Sequence, residues 1–143
     1  MADAMLAYRL NNSNSADFAL INAGGIRATI DQGPITRGEV LTSFPFGNSI
    51  VEITLSGQEL WDVVEGIVSE VNVANGEEVT SFFQISTGVK VQYNPDNASG
   101  SRLVSIMIKD RPIDRSAEYN IVTLDFLAGG IYISSQRSSS CTD

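Results

Sequence analysis

Histidine is absent from the 143 residues, and the one cysteine, Cys141, stands third from the end. An internal disulfide is therefore impossible, and the nitrogen and sulfur donors that usually hold zinc are almost missing. Basic residues are also scarce: 9 Lys and Arg against 17 Asp and Glu, a net charge of −8 and a pI near 4.4. The nine are scattered rather than clustered. That excludes the basic footprint of a nucleic-acid binder and argues against adhesion to anionic membranes. No apolar run approaches the ~20 residues needed to span a bilayer. The opening Met1-Ala2-Asp3-Ala4-Met5-Leu6 has no basic region leading into an apolar one, so it does not read as a signal peptide.

What remains is a globular chain. Hydrophobic residues make up 43% and charged residues 18%, which argues against intrinsic disorder of the chain as a whole, and the length suits one domain with a real core. The triplets Asn11-Asn12-Ser13 and Asn97-Ala98-Ser99 fit the N-glycosylation pattern, a pattern that also arises often by chance.

Periodicity places the elements. Ala4, Met5, Leu6, Tyr8 and Leu10 predict a helix over residues 2–10, stopping in the Asn/Ser cluster at 11–15. Phe18 to Ile21 reads as a buried strand. Thr36-Arg37-Gly38-Glu39 is a capping box opening a short helix that ends before Pro45. Ile50 to Leu55 alternates as a half-buried strand. A second capping box, Ser56-Gly57-Gln58-Glu59, opens the clearest helix, with Leu60, Trp61, Val63, Val64, Ile67, Val68 and Val71 as its apolar stripe. Trp61 within that stripe reads as core packing rather than as a ligand platform. Residues 71–80 read as a polar loop around Asn75-Gly76. Phe82 to Ile85 and Val89 to Tyr93 read as strands. The turn-rich Asn94 to Gly100 then joins the latter to Leu103–Ile108 in a hairpin, and Tyr119 to Leu124 is the last strand. Residues 131–143 are polar and serine-rich, and are expected to be a disordered tail.

One stretch has the marks of a ligand site. A buried strand ends in Ile21-Asn22-Ala23-Gly24-Gly25-Ile26-Arg27, followed by Thr36-Arg37-Gly38-Glu39 and Phe44-Pro45-Phe46-Gly47-Asn48. Gly24 and Gly25 are expected to allow backbone conformations closed to other residues and close approach of a ligand. Asn22 offers two donors and an acceptor, and Arg27 a permanently charged fork of donors. Phe46, between a proline and a glycine, is presented from a turn.

These pieces resemble the C-terminal domain of the 5'-nucleotidase family, which includes the UDP-sugar hydrolases and 2',3'-cyclic-nucleotide phosphodiesterases. Asn-Ala-Gly-Gly-Ile-Arg and Pro-Phe-Gly-Asn are joined by Leu55-Ser56-Gly57-Gln58-Glu59-Leu60, Phe83-Gln84-Ile85-Ser86 and Tyr119 to Gly130. They stand in family order from Ala2 to Gly130. The resemblance implies an α/β (α+β) fold, layered α/β/β/α with mixed sheets, over residues 1–130, with 1–14 the remnant of an interdomain helix. It implies a nucleoside or nucleotide as partner, its base clamped between Phe46 and Phe126, both rings held on turns, with Asn22 and Arg27 hydrogen-bonding base and ribose. It favours a secreted protein.

The same resemblance implies that the chain is truncated at both ends and does not catalyse. The family's two-metal site lies in a separate metallophosphatase half, so neither catalytic nor metal-binding residues, and no cofactor, are expected here. A substrate arginine usual upstream would fall before Met1. The ribose-holding aspartate usual after Gly-Gly is replaced by Ile131-Tyr132. Each lost charge-assisted bond weakens binding by about ten- to a hundredfold, so affinity is expected to be low. The alternative is a stand-alone, non-enzymatic effector, elicitor, allergen-like or immunomodulatory protein acting through its surface. Apolar area left bare by a missing domain would favour a homodimer.

Overall fold

The computed structural model describes residues 1–12, 16–70 and 82–130. Helix α1 (Ala2–Asn12) leads into strand β1 (Phe18–Asn22) and a 3-10 turn (Ala23–Gly25). Helix α2 (Arg37–Ser43), strand β2 (Ile50–Ser56) and helix α3 (Gly57–Ser69) follow. Then come strands β3 (Phe83–Ile85), β4 (Val89–Tyr93), β5 (Leu103–Ile108), β6 (Arg111–Pro112) and β7 (Glu118–Leu124). Residues 125–130 are helical. The loop expected at 71–80 and the tail expected at 131–143 lie outside the described residues.

Two sheets form. The larger is mixed, in the order β2-β7-β1-β3; the smaller is antiparallel, in the order β4-β5-β6. β7 runs parallel to β1 and antiparallel to β2, while β3 closes the edge antiparallel to β1. One face of the larger sheet is covered by α1, with Ala2 and Met5 packed on Ala19, Ile21, Val122 and Leu124. The opposite face shares the main core with α3 and the smaller sheet: Phe18, Leu20, Ile53 and Ile121 meet Leu60, Val64 and Val68 of α3 and Leu103, Ile106 and Ile108 of β5. Burial of that apolar area is the dominant stabilising contribution. The arrangement is the expected mixed α/β fold, with sheets of both kinds and helices packed against them.

Both capping boxes are present. Thr36 accepts from Glu39 N–H while Glu39 accepts from the Thr36 N–H at 2.7 Å; Ser56 and Glu59 repeat the exchange, at 2.8 Å for the return bond. Trp61 lies against the core, as its place in the stripe predicts, and its ring also carries the Arg115 guanidinium 4.1 Å from the centroid.

The C-terminal end of α3 is clamped to the β4–β5 loop by Glu65 and Arg102. Glu65 accepts from Ser69 Oγ (2.7 Å) and from the N–H groups of Arg102 (2.9 Å) and Leu103 (2.8 Å). Arg102 donates back to the carbonyls of Val68 (3.2 Å) and Ser69 (2.9 Å), where a cation also complements the helix dipole. Burial pushes the Glu65 carboxyl up, but the Ser69, Arg102 and Leu103 bonds and the Arg102 charge outweigh it, and the group sits below its ordinary 4.5. A carboxyl depressed on folding contributes stability that is present above its unfolded value and lost as pH falls through the folded one. Thermal denaturation between pH 6 and pH 3 will therefore show the midpoint falling below about pH 4.5, and Glu65→Gln will flatten that fall. An equal slope in the variant would mean that Glu65 is not among its sources.

Candidate functional site

The ladders bring four stretches to one end of the larger sheet. Because β1 and β7 are parallel, with Phe18 opposite Ile121 and Ala19 opposite Val122, their C-terminal ends lie level. Buried Thr123 reinforces the pair by donating its hydroxyl to Leu20 O at 2.7 Å. β2 is antiparallel, so its first residue, Ile50, lies opposite Leu124. Asp125 N–H then donates to Ser49 O at 3.0 Å, tying the segment that carries Phe126 to the one that carries Phe46. On the far side of β1, Asn22 faces Phe83, and Ala23 N–H donates to Phe82 O at 2.6 Å.

Asn22, Gly24, Gly25 and Arg27 thus form one turn at this sheet end. Asn22 is half-buried, with extended backbone (φ −79°, ψ 140°), and its side chain makes no capping bond to the 3-10 turn. The Arg27 N–H donates to Ser43 O at 2.9 Å, fastening the turn to the end of α2. Its guanidinium is exposed and makes one long bond, 3.4 Å to Gly24 O, so most of the fork is unengaged among the described residues. Phe46 and Phe126 are 53% and 69% exposed, so neither ring is a core residue. The ring contacts among the described residues are Phe82 with Phe83 and with Tyr93, so Phe46 and Phe126 do not stack on one another.

Two expectations need correction. Gly24 and Gly25 are not in the left-handed region; among the described residues the glycines with positive φ are Gly33, Gly88 and Gly100. A Cβ on Gly25 would meet only the Asn22 side chain, at 3.4 Å. Its lack of a side chain, rather than special backbone geometry, is what leaves room beside the Asn22 amide. Phe126 stands in the helical segment 125–130 rather than on an irregular turn.

Sequence reasoning passed over Ser43. It is 1% exposed, and its hydroxyl has no hydrogen-bond partner. Nothing in its local sequence marks it, because its burial follows from the tertiary contact between α2 and the Arg27 turn. An unpaired buried hydroxyl costs about 1–3 kcal/mol. Ser43→Ala is accordingly expected to raise stability by about 1 kcal/mol in urea denaturation, and a loss of stability would show that the hydroxyl has a partner in solution. Asn48 and Asp125, both exposed beside the two phenylalanines, add polar groups to the same sheet end. A separate apolar groove of about 310 Å³, lined by Phe82, Phe83, Gln84, Ile85, Val91 and Tyr93, contains none of the expected site residues.

Comparison with known proteins identifies the family of the fold. The profile of the family described as "5'-nucleotidase, C-terminal domain" matches residues 1–133. An apyrase of Aedes albopictus is 36% identical over 90% of this chain, which spans 23% of that protein. The trifunctional nucleotide phosphoesterase YfkN of Bacillus subtilis is 35% identical over 91% of the chain, which spans 9% of it. Among solved structures, a 5'-nucleotidase precursor from Thermus thermophilus superposes with a TM-score of 0.76 at 34% identity, covering 90% of this chain and 25% of its own. The chain thus spans about a quarter or less of the length of these relatives.

Proposed function

Because this chain belongs to the 5'-nucleotidase C-terminal domain family, we propose that it is the nucleoside- or nucleotide-recognition part of such a hydrolase. One observation carries the reading. The β1–β7–β2 ladder delivers the Asn22–Arg27 turn and two exposed phenylalanines, far apart in sequence, to one sheet end. Phe46 and Phe126 stack on the two faces of a base, which tolerates different bases because each has a π-face. Arg27 directs its unengaged donors at ribose or phosphate oxygens, and the Asn22 amide pairs with the polar edge of the base or sugar. With no side chain at Gly25, the ligand reaches the backbone beside the Asn22 amide, which a Cβ there would meet at 3.4 Å.

The chain recognises and does not cut. It has no histidine, and among the described residues no group of three or more His, Cys, Asp or Glu is placed to hold a metal ion. That donor set does not fit the two-metal site expected of the family's catalytic half, and no hydrolytic step is assigned to these residues. A calorimetric or NMR titration with adenosine, AMP and UDP-glucose tests the proposal. Saturable shifts at Asn22, Arg27, Phe46 and Phe126, with no phosphate released from AMP, are expected. A folded sample that stays silent at millimolar ligand would overturn recognition, and phosphate release by the pure chain would overturn the division of labour.

A second reading rests on the apolar side chains bared around α2 and the site. Ile35 is 65% exposed, Leu41 56% and Phe126 69%, and such surface favours self-association of the isolated chain. Light scattering at high concentration decides it: a monomer removes this reading and leaves the first untouched.

A further inference from the structure

The β4–β5 hairpin tip carries a motif that nucleoside recognition does not use. We propose that Asn97 is an N-glycosylation acceptor. Asn97-Ala98-Ser99 has the required pattern, and the fold presents it in a form that accepts the modification without rearrangement. Residues 96–101 are all exposed. The tip is a turn held by its own bonds and by α3: Asn94 Oδ1 accepts from Asp96 N–H at 3.1 Å, Asn97 N–H donates to Asn94 O at 3.3 Å, Ser101 N–H donates to Ala98 O at 3.0 Å, and Gly100 N–H donates to Ser69 Oγ at 2.7 Å. Gly100, with φ of 86°, turns the chain back toward β5.

The Asn97 amide has the right hydrogens to spare. Its Nδ2 carries two, and one is used, in a 3.0 Å bond to Ser101 O. Its Oδ1 accepts from Asn94 Nδ2 at 3.2 Å. In the reaction, Nδ2 forms a bond to the anomeric carbon of a lipid-linked oligosaccharide diphosphate. The lipid diphosphate leaves with the electron pair of the broken C–O bond, and one amide proton is lost. The product amide keeps one N–H and its carbonyl oxygen, enough to preserve both bonds, and the sugar takes the place of the hydrogen that the Ser101 bond does not use. The structure speaks for Asn97 alone. Asn11, in the other matching triplet, sits in the last turn of α1, and its Ser13 lies outside the described residues.

A glycan is bulky and solvated. Its presence at Asn97 means that no neighbouring domain or subunit covers the β4–β5 tip, so any docking surface lies elsewhere on the domain.

The test is translation of the full chain behind a cleavable secretion signal, with endoplasmic-reticulum microsomes, scoring only chains protected from added protease. Removal of the glycan by a peptide amidase that converts the linked Asn to Asp is then read by peptide mass. Wild type and Asn11→Gln are expected to show Asp at position 97, and Asn97→Gln and Ser99→Ala to lose that one glycan. Protected chains with an unmodified Asn97, or with sugar only at Asn11, overturn the proposal. The thermal midpoint of the purified glycosylated chain is expected to equal that of the unglycosylated wild type; a glycosylated chain that fails to fold would overturn the claim that the turn accommodates the sugar.

Discussion

Replacing Gly57 with alanine will destabilise the fold by about 3 kcal/mol, while the same change at Gly66, in the same helix, will stabilise it by about 0.5–1 kcal/mol. Both glycines lie in α3, so helix propensity alone predicts a gain at each. The difference is tertiary. A Cβ on Gly57 would fall 2.1 Å from Asp114 O and 2.9 Å from both Asp114 C and Arg115 Cα, whereas at Gly66 nothing lies within 4 Å. The opposing atoms are backbone, and that backbone is pinned. Ile113 N–H donates to Ile106 O at 3.0 Å, Asp114 N–H to the Tyr119 hydroxyl at 2.9 Å, and Ala117 N–H to Asp114 O at 3.2 Å. The loop also caps the helix, since Gly57 N–H donates to Ala117 O (2.8 Å) and Gln58 N–H to Arg115 O (3.0 Å). Moving it far enough to admit a methyl group breaks those bonds, each contributing about 1 kcal/mol, and lifts Arg115 from Trp61. Urea denaturation of the two variants checks this. Equal stabilities would show that the 113–117 loop does not sit on α3 in solution.

Removing either clamp ring will cost the proposed ligand about 1–3 kcal/mol, roughly a five- to 150-fold rise in Kd for AMP, for Phe46→Ala and for Phe126→Ala separately. Folding stability should hardly move, within about 0.5 kcal/mol, because the rings are 53% and 69% exposed and bury little apolar area within the chain. That separation makes the experiment informative. A ring that stacks on a base loses affinity and keeps stability; a ring that is structural does the reverse. The two sites should also be coupled in a double-mutant cycle if, as proposed, both act on one ligand from opposite faces, their segments tied by the Asp125–Ser49 bond. Strictly additive losses would mean that the rings do not share a ligand.

The capping boxes, the amphipathic α3 and the β4–β5 hairpin were legible in the sequence because each depends on contacts between residues close along the chain. Thr36 with Glu39 and Ser56 with Glu59 meet within one helical turn wherever that turn forms. The type of fold and the residues of the candidate turn were legible too, through the order of short motifs. Other features are set by contacts across the fold and leave no local mark. β3 follows β2 and α3 in the chain yet pairs with β1, and β7 inserts between β1 and β2. The turn after β5 places Lys109 and Asp110 at φ of 52° and 60° with no glycine to announce it; Lys109 bonds to Asp17 at 3.0 Å and Asp110 to Lys90 at 2.6 Å. The sequence by itself determined most of the helices and strands, β6 and the helical segment 125–130 excepted, and which residue types stand in the candidate turn. Only the tertiary structure decided that Asn22, Arg27, Phe46 and Phe126 share a sheet end and that Gly57 allows no side chain. Strand partners are chosen by burying two faces of a sheet at once, and that choice depends on residues a hundred positions apart, as in the Leu20–Thr123 bond.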